Sequence, residues 1–192
     1  MINYGEELAY WYLRLNGFFV IDNFVYHRTG NSRDGDADLI ALRLPYVKES
    51  IGGNLGDWDE SLFSHLGEYD VLAILCEVKT GHRANLSRVF ENRKVKYTLN
   101  RVGFSDIEIK EMLSCNSSSF MLNHNRKILL KLLITEHGTD NQDTFLTFSL
   151  EHVEDFIYSR IKKYSNQKYN ARHFFPSSLL QYMMYRSNRE NR

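Results

Sequence analysis

Two hydrophobic rhythms run along this chain. Leu8, Trp11, Tyr12 and Leu15 recur at steps of three and four, which predicts a helix over residues 4–16, and Gly17 follows where a helix C-terminus favours glycine. Residues 18–26 are rich in β-branched and aromatic side chains and predict a strand; residues 37–44 predict a second, stopped near Pro45. Val71-Leu72-Ala73-Ile74-Leu75-Cys76 is apolar throughout, so residues 71–79 predict an interior strand covered on both faces. Residues 86–102 predict a basic helix followed by Gly103, and 104–115 a short helix. Residues 128–135 and 145–150 predict two further strands, and 151–164 and 177–185 closing helices. Residues 27–35 read as a polar loop, 116–125 as a polar break, and 46–69 as an acidic insertion forming a lobe or long loop. The order predicts an α/β fold, a mixed central sheet flanked by helices.

At 192 residues, 43% apolar and 25% charged, the chain has the composition and length of one ordinary globular domain. The expected division is a core over about 4–150, interrupted by the 46–69 insertion, and a basic, aromatic helical extension over 151–192. No stretch nears the ~20 apolar residues that span a membrane. The first residues lack a signal-peptide pattern, so a cytoplasmic protein is expected. Cys76 and Cys115 have no second Cys or His at ligand spacing, which leaves neither a disulfide framework nor a zinc site. The net charge is zero but unevenly spread: residues 34–77 hold ten acidic side chains against two basic, and residues 79–101 seven basic against one acidic. An acidic centre flanked by basic segments is compatible with an enzyme acting on nucleic acid.

The candidate chemistry sits where the strands run out. Glu77 and Lys79, two apart on a strand, project to one side while Val78 packs on the other. Charges at the end of an interior strand need partners or a metal. Gly35-Asp36-Ala37-Asp38-Leu39-Ile40 places Asp38 at the head of the preceding strand, with Asp36 as a rival ligand.

These residues resemble the PD-(D/E)XK nuclease superfamily. The first half of the chain is similar to its resolvase-like branch, which includes archaeal Holliday-junction resolvases. Gly5-Glu6-Glu7-Leu8-Ala9 with Asn16-Gly17-Phe18 resembles that branch's first helix, Asp36-Ala37-Asp38 its second-strand motif, and Glu77-Val78-Lys79 its Glu-x-Lys element. The likeness covers residues 4–102 apart from the insertion; the chain departs from it in having Ala37, not proline, before the aspartate. The resemblance implies a restriction-endonuclease-like fold and a Mg²⁺-dependent (or Mn²⁺-dependent) endodeoxyribonuclease. Asp38, Glu77, the Val78 carbonyl and Glu6 would hold the metal, and Lys79 would assist the attacking water. It also implies a possible homodimer, since symmetrical cutting of two strands calls for two sites.

Arg28, Arg33, His82, Arg83, Arg93, Lys94, Lys96 and Arg101 are the candidates for DNA contact. Each has a plainer reading as a loop residue or a solvated helix face, as Glu6 has as a first-turn carboxylate. RNA in place of DNA remains open at this point, as do a catalytically silent nucleic-acid-binding module and a protein-interaction scaffold. Cys76 reads as a small packed hydrophobe.

Overall fold

A computed structural model of the chain describes residues 3–27, 33–81, 88–116, 119–137, 143–167 and 176–190. The first helix, α1 (Tyr4–Leu15), starts at Asn3, whose side chain accepts the Glu6 N–H at 3.0 Å while its amide donates to Glu6 Oε1 at 2.6 Å. Two first-turn groups are thereby satisfied at once. Gly17 stops the helix with φ +82, and Phe18 N–H returns to the Leu13 carbonyl.

Six strands form one mixed sheet: β1 (Phe19–His27), β2 (Arg33–Arg43), β3 (Val71–Lys79), β4 (Met121–His124), β5 (Lys127–Thr135) and β6 (Leu146–Ser149). Their order is β1-β2-β3-β5-β4. The first three are antiparallel, β5 runs parallel to β3, and the outer edge of β5 is shared by antiparallel β4 and parallel β6. As its composition predicts, β3 is interior. Leu72, Ile74, Cys76 and Val78 join one core with α1, α5 (Leu150–Lys163) and α6 (Ser178–Glu190). Ala73 and Leu75 join another with α3 (Asn92–Arg101) and α4 (Asp106–Asn116). No helix among the described residues is long and apolar enough to cross a membrane.

The structure corrects the expected elements at β2, at β4 and at α3, which begins at Asn92 and not at residue 86, and it shows how the insertion packs. β2 begins at Arg33, inside the expected loop, because Gly35 takes φ +141 and lets the chain stay paired with Tyr26. The expected polar break contains β4, whose backbone pairs with β5 although Asn123 and His124 look unlike strand residues. The 46–69 insertion is largely a long loop, one of the two expected forms, and it packs onto the rest of the chain. It carries a short helix, α2 (Glu60–Phe63), capped by Asp59, and Leu62 lies in the α1/α5 core. Asp59 Oδ2 accepts from Tyr12 Oη at 2.5 Å and lies 2.7 Å from His152 Nε2. Asp57 accepts from Lys163 and Tyr164, and Arg160 donates to the Asp57 and Leu15 carbonyls. Arg43 lies over the Trp58 and Phe63 rings. Two acidic residues of the insertion, Asp57 and Asp59, thus fasten it to α1 and α5.

Candidate functional site

The β2–β3 ladder ends at the Leu39–Cys76 pair. One step further along, Asp38 on β2 and Glu77 on β3 face each other across the parting strands. Like charges directly opposite one another destabilise a sheet unless something offsets them. Here the offset is an ammonium: Lys79 Nζ lies 3.1 Å from Asp38 Oδ2 and 3.0 Å from Glu77 Oε2. Asp38 Oδ2 also accepts the Val78 backbone N–H at 2.7 Å, replacing the lost ladder bond. The other Glu77 oxygen, Oε1, is 3.0 Å from Lys94 Nζ, which α3 brings across this end of the sheet.

Burial grades these groups. Glu77 is 2% exposed, while the Asp38 and Lys79 side chains retain 19% and 30%. Burial, reinforced by Asp38, holds the Glu77 carboxyl above the usual carboxylate range, although the two lysines pull against it. Burial works against the Lys79 ammonium too, but Glu77 and Asp38 outweigh it and leave that pKa raised. Lys79 is therefore firmly protonated. Burial pushes the neighbouring Cys76 thiol well up, and the residue is fully enclosed, a packed hydrophobe as expected.

The first turn of α1, which carries Glu6, comes close to the end of β3. A Cβ on Gly5 would stand 2.6 Å from Thr80 Cγ2 and 3.2 Å from Val78 Cγ1, so only glycine lets the first turn abut the end of β3. Burial and the Asp38 charge raise the Glu6 pKa, and Lys79 lowers it in part, which puts its carboxyl in the same field. Glu7 turns elsewhere: it accepts from Ser177 Oγ at 2.7 Å and ties α1 to the start of α6. Asp36 lies two residues before Asp38, but Asp38 is the carboxylate that Val78 and Lys79 hold.

The expected DNA contacts separate into distinct groups. Lys94 turns inward onto Glu77 instead of standing on a solvated helix face. Arg93 pairs with Asp34 at 2.7 Å, and Arg101 lies 5.2 Å from the Phe24 ring centre. Lys96 is exposed. Arg28, His82 and Arg83 lie outside the described residues, as does the side chain of Arg33, whose backbone opens β2.

The inward turn of Lys94 left a trace in the sequence, for it shares a helix face with Thr98, four residues on and fully buried. The Tyr12–Asp59–His152 cluster left none, since its members lie on three separate elements. Among the described residues no group of three or more His, Cys, Asp or Glu side chains is placed to hold a metal ion. The oxygens that could take a cation at this end of the sheet are those of Asp38 and Glu77, which already share Lys79, whereas Glu6 Oε1 accepts from the Asn3 amide at 2.6 Å. Comparisons with protein-family models, with curated proteins and with solved structures give no match for this chain.

Proposed function

We propose that this chain is a metal-dependent nuclease of the restriction-endonuclease-like fold, hydrolysing phosphodiester bonds of DNA. The observation that carries this reading is the Lys79 ammonium lying between the Asp38 and Glu77 carboxylates, 3.1 and 3.0 Å away, at the end of parting strands. A position where one cation already bridges two hard oxygen ligands has the donor chemistry that Mg²⁺ or Mn²⁺ takes. The element order over residues 4–101, a helix, three antiparallel strands and a helix with the insertion between the second and third strands, also supports the resemblance.

Asp38 and Glu77, with the Val78 carbonyl, would hold the ion, and Glu6 would act at its rim. When bound, such an ion acidifies water and offsets charge on a phosphate. The chain's own residues supply the rest. Lys79 would give N–H donors to a phosphate oxygen and orient the attacking water. The water oxygen would bond to phosphorus as the ester P–O bond opposite breaks, the electron pair of that bond leaving on the ester oxygen; the attacking water's proton would pass to solvent and the leaving oxygen would take a proton from solvent. Lys96 and other exposed basic side chains would track the backbone.

A nicking assay on supercoiled plasmid, a four-way DNA junction and RNA tests this reading, with Mg²⁺, Mn²⁺ or EDTA. Metal-dependent DNA cleavage that Asp38→Asn abolishes is the expected result. Salt-sensitive DNA binding without cleavage in any metal would make the chain a silent binding module instead.

A further inference from the structure

Both oxygens of the buried Glu77 carboxylate already carry an ammonium, Lys79 on Oε2 and Lys94 on Oε1, each at 3.0 Å. With Asp38 sharing Lys79, two carboxylates meet two lysines and the formal charges cancel. Lys79 comes from the strand that carries Glu77, whereas Lys94 comes from α3. That helix is fixed beside β2, because Asp34 takes Arg93 at 2.7 Å and Tyr97 Oη at 3.0 Å. The Thr98 hydroxyl, itself buried, donates to the Lys94 carbonyl at 3.0 Å. Lys94 is therefore delivered by a held backbone, and its side chain keeps only 23% of its exposure.

We propose that Lys94 is a positioning residue that fixes the Glu77 carboxylate and, as a built-in counter-cation, holds the site's affinity for a divalent ion low. The inference rests on the nuclease reading above. A neutral cluster gains nothing overall from a doubly charged ion unless an ammonium moves aside, and Lys94 is the one that the fold keeps in place. Removing its charge favours the ion; removing its hydrogen bond leaves Glu77 less well oriented. At these separations the loss of a unit positive charge beside a divalent ion outweighs one lost hydrogen bond. Affinity for the ion and rate of cleavage should then move in opposite directions.

Mn²⁺ binding, read by electron paramagnetic resonance without any turnover, separates the possibilities. Wild type, Lys94→Met, Lys94→Arg and Asp38→Asn would be titrated side by side, with a melting curve for each to show that it is folded. Lys94→Met should bind Mn²⁺ about tenfold more tightly than wild type while nicking DNA more slowly, and Lys94→Arg should return both toward wild type. Unchanged Mn²⁺ affinity with weaker DNA binding would make Lys94 a backbone contact and overturn the proposal. Weaker Mn²⁺ binding in Lys94→Met would make it mere support for Glu77 and overturn it equally. Absence of Mn²⁺ binding that depends on Asp38, in wild type and Lys94→Met alike, would remove the metal site itself and the nuclease reading with it.

Discussion

Asp38 Oδ2 accepts the backbone N–H of Val78 at 2.7 Å, so a carboxylate takes the place of the next rung of the β2–β3 ladder. The strands can part there without leaving that donor unsatisfied, and the opening is where Glu77 and Lys79 meet Asp38. One residue thus has a structural and a chemical duty, and the two can be separated. Asp38→Asn keeps an oxygen for Val78, whereas Asp38→Ala does not. Both should lose nicking activity, by about a thousandfold. Both forgo the ion pair with Lys79, but the alanine variant should lose about 1 kcal/mol more stability than the asparagine variant in denaturant melts; equal stability losses would mean that the Val78 bond contributes nothing.

Gly5 is set against its own helix. Alanine is favoured over glycine inside helices by up to about 1 kcal/mol, but a Cβ here would stand 2.6 Å from Thr80 Cγ2. Overpacking of this kind costs roughly 1–3 kcal/mol, so Gly5→Ala should destabilise on balance. It should also slow cleavage, because Glu6 moves away from the end of β3. A variant that melts higher than wild type and cuts normally would show that this contact is soft.

How far the sequence disclosed the molecule depended on how local each signal was. Helix α1 and strand β3 were legible because their periodicity lies within a dozen residues, and Glu77-Val78-Lys79 was legible because alternation on a strand fixes which side chains share a face. Strand β4 was not, since four residues held by pairing to β5 need no alternation of their own. The packing of the insertion was not legible for a related reason. Asp57 and Asp59 look like solvated charges until Lys163, Tyr164 and His152, about a hundred residues away, are brought to them. Lys94 fell between the two: its helix was legible, and its partner was not.

The insertion should come loose when its anchor is removed. The Asp57 side chain is completely enclosed and accepts from Lys163 Nζ at 2.7 Å and Tyr164 Oη at 2.7 Å. Those donors hold its carboxyl down at about 2 despite the opposing effect of burial. Asp57→Ala should lower stability by about 2 kcal/mol and speed proteolytic cutting within residues 46–69. Unchanged cutting there would show that Asp59 and Arg43 hold the insertion unaided.

Stability should also depend on pH through His152 and Asp59. The hydrogen bond to Asp59 raises the His152 pKa above its ordinary 6.5, so that stabilisation is full below 6.5 and is lost as pH climbs through the raised value. Burial pushes the Asp59 carboxyl up, but His152 and Tyr12 outweigh it and leave it below 3.8; its contribution is full above 3.8 and lost as pH falls through the lowered value. The pair therefore supports the fold most between these two limits. Melting temperatures of wild type and His152→Gln should differ more at about pH 6 than at about pH 8.5. A constant difference would mean that the pair does not titrate as a unit.

The most direct measurement is the rate of plasmid nicking in Mg²⁺ by wild type and Lys79→Met, with EDTA as the control. The Asp38–Glu77–Lys79 site predicts that the variant, still folded, cuts at least about a thousandfold more slowly, and that EDTA stops wild type completely. Equal rates for the two proteins, or cutting that survives EDTA, would contradict it.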